Sequence, residues 1–290
     1  MLSHVTEMIG EVERDPSISD FSSAVSALRA IGLDDFGRFF IELPNPAFPK
    51  LSSILPRMAS NDVQRNWTGQ CGVPLLKQSL AVTRSMSSVF AEITGSSLSG
   101  KRVLDFGCGY GRLARLMFYF TDHVEGVDPW SKSIEICQDC GLDGFKQSDY
   151  LPSDLPFPGG ETFDLIYAFS VFTHLSKRAT LTALKTLRNY VSNNGVLMIT
   201  IRPVEYWDAA ERDKSLRNTS VNDCIKKHDI EGFCFVPHDR PPVDGDVTYG
   251  DTSMTLEWLR RNNNNWEVAK IDRSIEDTYQ IYVYLTPASL

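Results

Sequence analysis

The sequence has no run of lysine or arginine, no long apolar stretch and little cysteine. Its 29 Lys and Arg residues are outnumbered by 37 Asp and Glu, for a formal net charge of −8. A protein that grips nucleic acid needs a basic patch or stripe. Nucleic acid is therefore not an expected partner, and a small or neutral molecule suits the charge better. No segment reaches the ~20 apolar residues that a bilayer-spanning helix needs. The opening residues, Met1 to Met8, carry no basic region followed by an apolar run, so no secretory signal is expected. Six cysteines in 290 residues make no disulfide scaffold, and a reducing cytoplasm is the expected setting. There is no internal repeat and no low-complexity tract. The length suffices for one large core, with or without an appendage.

What the sequence does have is a glycine turn. Residues 103 to 116 read Val-Leu-Asp-Phe-Gly-Cys-Gly-Tyr-Gly-Arg-Leu-Ala-Arg-Leu. The segment starts apolar and β-prone, turns on Gly107, Gly109 and Gly111, and continues at helical spacing through Leu113, Leu116, Met117 and Phe120. Glycines without Cβ atoms let a ligand approach the backbone. Strand, glycine turn and helix start together form a nucleotide-type cradle. The spacing is Asp105-x-Gly107-x-Gly109-x-Gly111, not the G-x-G-x-x-G of dinucleotide folds. A carboxylate two residues before the first glycine would repel a pyrophosphate and attract a cation.

The segment after it reads as βα units. His123 to Val127 is a short strand ending at Asp128, about 20 residues past the first glycine, where an acidic residue can accept both ribose hydroxyls of an adenosine. The competing reading of Asp128 is a turn or cap residue before Ser131. Residues 131 to 141 read as a helix whose Cys137-x-x-Cys140 fits core packing better than metal or redox chemistry. Residues 144 to 150 form a strand and a turn. Phe163 to Phe169 is a nearly unbroken apolar run suited to a central parallel strand, and Ser170 to His174 follows its carboxyl end. Ser176 caps a helix to Val191, Asn193-Asn194-Gly195 turns the chain, and Val196 to Ile201 is a fifth strand. Trp266 to Ile271 and Gln280 to Leu285 make a closing hairpin.

The motif at 105 to 111, with Asp128, Asp149, the strand ending at Ser170 and the terminal hairpin, resembles the class I S-adenosylmethionine (SAM) dependent methyltransferases. The resemblance spans about residues 67 to 290. It implies an α/β, Rossmann-like sheet of seven mostly parallel strands with a C-terminal antiparallel hairpin. It also implies SAM as cofactor and S-adenosylhomocysteine as product. Asp105, Phe106, Gly107, Cys108, Gly109 and Gly111 would line the methionine end. Asp128 and Pro129 would sit at the ribose, Asp149 and Tyr150 at the adenine, and Phe169 and Ser170 beside the methionine side. Asp149 also reads as a simple Asx-turn. Trp67 and Gln70, before the first strand, would belong to a segment closing over SAM; the plainer reading of Trp67 is packing. Ser170-Val171-Phe172-Thr173 has neither the Asp/Asn-Pro-Pro-aromatic motif of base and amide N-methyltransferases nor the metal-binding carboxylates of catechol-type enzymes. Direct in-line methyl transfer is left. Trp67-Thr68-Gly69, Phe163 to His174 and Tyr249-Gly250-Asp251-Thr252 also resemble bacterial methyltransferases associated with glycan and polysaccharide genes, which implies O-methylation of a sugar, sugar phosphate or glycan precursor. Protein methylation and SAM binding without turnover are the alternatives.

Two regions stand outside this frame. Residues 1 to 66 read as a helical extension, with helices at roughly 4–14 and 20–31 capped by Asp20, and a proline-dense extended connector at 43–56. They are open to use as a lid, a homodimer contact or a docking arm. Residues 202 to 253 read as an insertion after the fifth strand, placed where acceptor pockets are built, with a helix expected from Ser253. Arg202, Tyr206, Trp207, Arg240 and Tyr249 are its candidate substrate residues. His174 and His238 are the candidate bases, since histidine titrates nearest neutral pH; His174 also reads as a helix-capping or stacking residue. Cys224, His228, Cys234 and His238 are zinc-type ligands at a spacing that matches no common finger, and no metal is expected.

Overall fold

The computed structural model describes residues 2–212, 216 and 219–288. Residues 213–215 and 217–218 of the expected insertion, and 289–290 of the expected domain, lie outside the described residues. The chain forms two compact units, Met1–Ser88 with Ser97–Gln147, and Val89–Ser96 with Ser148–Leu290.

Among the described residues there are nine strands: β1 (Val103–Phe106), β2 (Val124–Asp128), β3 (Phe145–Gln147), β4 (Phe163–Ala168), β5 (Val191–Ile201), β6 (Phe233–Pro237), β7 (Gly250–Met254), β8 (Trp266–Arg273) and β9 (Ile281–Pro287). Seven form one sheet in the order β3-β2-β1-β4-β5-β9-β8, while β6 and β7 pair separately. β1, β2 and β3 run parallel, as do β4 and β5; β9 is antiparallel to both β5 and β8. This is the Rossmann-like sheet with the terminal hairpin that the sequence implies. β1 is buried at every position, as a strand covered on both faces must be, whereas β8 alternates exposed and half-buried residues after a buried Trp266.

In the first unit the N-terminal extension opens with the helices Thr6–Arg14, Phe21–Leu28 and Leu33–Ile41. Asp20 caps the second in a reciprocal box with Ser23. The third, absent from the sequence reading, contributes Phe36, Phe39 and Phe40, all fully buried. Each such ring is worth roughly 1.5–3 kcal/mol of burial. Phe36 meets Tyr119 edge-on at 5.3 Å and Phe21 meets Phe118 at 4.7 Å. A Cβ on Gly37 would come 2.8 Å from Leu116 Cδ2, so this helix needs glycine for its close approach. The extension is thus packed onto the helix Arg112–Met117 that follows the glycine turn.

Three local expectations fail for identifiable reasons. The proline-dense connector contains a helix, Pro49–Ile54, because Pro49 occupies its first turn, where no N–H is needed. Asn193-Asn194-Gly195 does not separate helix from strand. Phe163 faces Val191 and Leu165 faces Val196, so the polar residues form a bulge inside β5. Ser253 belongs to β7, and the next helix is Leu256–Arg261, capped by Thr255.

Candidate functional site

The first unit carries the glycine turn. Gly107, Gly109 and Gly111 all have positive φ, at 76°, 54° and 71°. A Cβ on Gly111 would lie 2.3 Å from Leu142 Cδ1, so both conformation and space demand glycine there. Four of the turn's backbone donors are committed internally. The N–H groups of Gly107 and Cys108 both donate to Val127 O, at 2.8 and 3.0 Å, and that of Gly111 donates to Cys108 O at 2.8 Å. The N–H of Gly109 donates to Asp128 Oδ2 at 3.0 Å. A phosphate-binding turn would keep such donors for the anion.

Asp128 ends β2 with a carboxylate pinned at both oxygens, since Oδ1 also accepts from Trp130 N–H at 2.9 Å. Burial pushes its carboxyl up, partly offset by those two backbone donors. The Ser133 hydroxyl is a third donor to it, and of the carboxylate's roughly four acceptor sites one is left for a further donor. Asp105, Phe106 and Cys108 are buried beside the turn. Pro129 accepts from Gln147 Nε2 through its carbonyl at 3.1 Å.

Above the turn lies the helix Asn61–Thr68, capped by Ser60 and ended by left-handed Gly69. It delivers Trp67, whose ring stacks on Trp130 at 4.7 Å and meets Tyr110 edge-on at 5.8 Å. The Trp67 ring is also the nearest group to a Cβ built on Gly109, at 3.9 Å. Trp130, 43% exposed, is a ring the sequence reading passed over, although it stands two residues past the acidic strand end. Gln70 is exposed, and its carbonyl accepts from Thr68. Gln64 is the built-in amide, buried and bridging Ala59 O and Gly72 N.

Arg115, one turn into the helix after the glycines, is fully buried. Its Nη1 donates to Tyr110 O at 2.7 Å and Gly111 O at 2.6 Å; Nε and Nη2 donate to Arg57 O at 3.1 and 2.6 Å. Burial draws its guanidinium down from its ordinary value. The cation ties the end of the turn to the N-terminal extension.

In the second unit, Asp149 and Tyr150 stand exposed shortly after β3. Ser170, just past β4, has φ of 60°. A left-handed non-glycine residue costs ~1–2 kcal/mol and persists where its surroundings hold it. Its N–H donates to Thr200 Oγ1 at 2.7 Å, and its Oγ accepts from Gln280 Nε2 at 3.0 Å. Phe169 is buried with its ring 6.2 Å from that of Tyr282.

Beyond Ser170 a polar cluster is centred on Asp251 of β7. Its Oδ1 accepts from Arg202 Nη1 at 2.6 Å and Tyr206 OH at 2.8 Å, while Oδ2 accepts from His238 Nε2 at 2.8 Å. Burial pushes the Asp251 carboxyl up, but Arg202, His174, His238 and Tyr206 outweigh it, so the group lies below the usual range and is ionised. His174 donates from Nδ1 to Gly250 O at 2.7 Å and accepts at Nε2 from Arg202 Nη2 at 3.1 Å. Burial and the Arg202 charge pull it down to about 3. His174 is thus a neutral ring with its lone pair engaged, which removes the ground for reading it as a base. Its ring stacks on Tyr249 at 5.1 Å, and the Arg240 guanidinium lies 5.7 Å from the centroid of the same tyrosine ring.

Two substrate expectations are corrected here. Trp207 is fully buried and donates from Nε1 to Ser253 Oγ at 2.8 Å, so it is core. Arg202 is buried, spends itself on Asp251, His174 and Thr173 O, and lies 3.9 Å over the Tyr206 ring. The four zinc-type residues are split. Cys224 and Cys234 pack in the apolar cluster of Trp207, His228 bonds Ser253 Oγ at 2.8 Å, and His238 bonds Asp251.

A model of the methyltransferase domain matches residues 80–238. The chain belongs to the methyltransferase-domain family. The family's cofactor is SAM, and the turn of the first unit fits it: four of its backbone donors are spent, three glycines leave the backbone open, and a pinned carboxylate ends β2. Among its relatives, the chain is 46% identical over 57 residues to a ubiquinone biosynthesis O-methyltransferase of Bordetella pertussis, covering 20% of the chain and 24% of that protein. It is 34% identical over 173 residues to a tRNA U34 carboxymethyltransferase of Pseudomonas fluorescens, covering 57% of the chain and 45% of that protein. The chain therefore spans less than half the length of these curated relatives. The crystal structure of magnesium protoporphyrin IX methyltransferase from Synechocystis PCC 6803, with bound S-adenosylhomocysteine, aligns with a TM-score of 0.50 at 16% identity, covering 78% of this chain and 94% of that one. At that identity the likeness speaks to the fold. No described helix is long and apolar enough to cross a membrane.

Proposed function

We propose that the protein transfers the methyl group of SAM to a hydroxyl of a small, polar, neutral acceptor, a sugar or sugar derivative being the reading its sequence resemblance favours. The observation that carries the cofactor half is the internal commitment of four of the turn's N–H groups beside the pinned carboxylate of Asp128. That arrangement suits the ribose and the cationic end of SAM and offers little to a phosphate. Trp67 and Trp130 supply aromatic faces beside it. For the acceptor half, the cluster around Asp251 pairs one buried cation with one buried anion and adds neutral rings. Such a surface suits hydroxyl groups and a stacking ring face better than a charged molecule. The O-methyltransferase relatives support oxygen as the receiving atom. The tRNA-directed relative raises RNA as a substrate, but the net charge of −8 opposes it.

The test is methyl transfer from radiolabelled SAM to separate acceptors: methyl glucoside, glucose 1-phosphate, UDP-glucose, a Lys- and Arg-rich peptide, and bulk tRNA. Label in methyl glucoside is expected, with product mass confirming one added methyl, whereas label only in glucose 1-phosphate or UDP-glucose would overturn the neutral acceptor. Label in the peptide or tRNA would overturn the acceptor assignment. SAM binding with no transfer to any of them would favour a binding module without turnover.

A further inference from the structure

Resting on that reading, we infer that His238 is the proton acceptor of the reaction and that Asp251 is its positioning residue, fixing which ring nitrogen is left open. The two histidines of the cluster are held in opposite tautomers. His174 carries its proton on Nδ1, because that atom faces Gly250 O, and its Nε2 lone pair is taken by Arg202. His238 faces a carboxylate with Nε2, at 2.8 Å from Asp251 Oδ2, so the proton belongs on Nε2 and the lone pair on Nδ1. Among the described residues Nδ1 of His238 has no hydrogen-bond partner, and the side chain is 33% exposed against 17% for His174. One ring is closed off and the other is open to an incoming hydroxyl.

The surroundings hold this arrangement. Asp251 cannot swing away, because Arg202 and Tyr206 grip its other oxygen. The backbone N–H of His238 donates to Tyr249 O at 3.1 Å, and the Tyr249 ring meets His238 edge-on at 5.5 Å. The groups facing His238 are therefore Asp251, Tyr249 and the neutral ring of His174, 6.3 Å away. In the step, the acceptor O–H bond breaks and its proton passes to Nδ1. The oxygen electron pair forms the new O–CH3 bond, and the S–CH3 bond breaks with its electrons passing to sulfur, leaving S-adenosylhomocysteine. The imidazolium so formed sits against the Asp251 carboxylate until its proton leaves to water.

The test has two arms. Long-range 1H–15N correlation on the full-length protein reads the tautomers directly. The chain has five histidines, so His238→Gln assigns the signal. The expected result is Nε2–H for neutral His238 and Nδ1–H for His174, with the His238 preference lost in Asp251→Asn. An Nδ1–H tautomer for His238, or one unchanged in Asp251→Asn, would overturn the assignment. The second arm uses whichever sugar probe accepts label. His238→Gly should lower turnover by at least about 100-fold with the KM for SAM within about threefold, and added imidazole should restore at least about tenfold of it. Turnover lost together with SAM affinity, or unmoved by imidazole, counts against His238 as acceptor. If no probe accepts label, the tautomer arm still decides the dyad while the acceptor class fails by itself.

Discussion

Lowering the pH from 7 to 5 should weaken the fold through His174. In the unfolded chain an ordinary histidine titrates at 6.5, whereas in the folded protein this ring is held at about 3 by burial and by Arg202. Between those values the unfolded chain takes up a proton that the folded chain refuses, so stability falls as pH falls through 6.5 and stops falling near 3. The slope approaches about 1.4 kcal/mol per pH unit, and integration from pH 7 to 5 gives a loss of about 2 kcal/mol. Against a typical stability of about 5–15 kcal/mol, that is easily measured. The comparison is His174→Gln, whose amide oxygen can still accept from Arg202 but cannot titrate. Urea unfolding of both proteins at each pH isolates the contribution of the ring. The variant should lose about 2 kcal/mol less than the wild type over this interval. Equal losses would mean that His174 titrates normally, that its lone pair is not committed to Arg202, and that it returns as a candidate base.

Four further predictions concern the glycine turn and the end of β4. Asp128→Ala should weaken SAM binding by about 10-fold or more, a hydrogen bond to a charged group being worth about 1.5–3 kcal/mol; calorimetry finding affinity within a factor of three would remove Asp128 from the ribose. Because burial raises the Asp128 carboxyl, wild-type affinity should also begin to fall on acidification at a higher pH than the ordinary value of 3.8 would set. Arg115→Met should cost about 3 kcal/mol by stripping donors from three buried carbonyls, and thermal unfolding within a degree of wild type would show that the guanidinium is dispensable. Ser170→Gly should be more stable than Ser170→Ala by about 1 kcal/mol, since both lose the hydroxyl but only glycine relaxes the left-handed backbone; an alanine variant of equal stability would argue against strain at that residue.

The sequence made the sheet legible wherever a strand is both local and apolar. Val103 to Phe106 and Phe163 to Ala168 announce themselves by composition, and the glycines that follow β1 require a turn whatever the rest of the chain does. The third N-terminal helix had a signal too, in Phe36 and Phe40 at helical spacing, but the prolines downstream drew attention to extended structure. The cluster around Asp251 was legible as residue types and not as an arrangement. Arg202, His238 and Asp251 come from three segments brought together by the pairing of β6 with β7, and no periodicity tells which partner a carboxylate will find. His174 shows the cost of judging by residue type alone, because its chemistry is set by an arginine 28 positions away. Thr200 and Gln280, which hold Ser170, are equally silent in sequence, since a hydroxyl and an amide are common in any strand or loop.

The family resemblance begins at residue 80, yet the end of the glycine turn is tied to the carbonyl of Arg57, 58 positions before the arginine that grips it. What evolution recognises as the domain and what must be present for the turn to be held are therefore different lengths of chain. A fragment trimmed to the matched boundaries would leave a buried cation short of an acceptor directly beneath the cofactor turn. Transplanting the turn into another sheet would do the same. The arm is in this sense part of the domain's mould, and any effort to shorten, circularise or graft the domain has to carry it along.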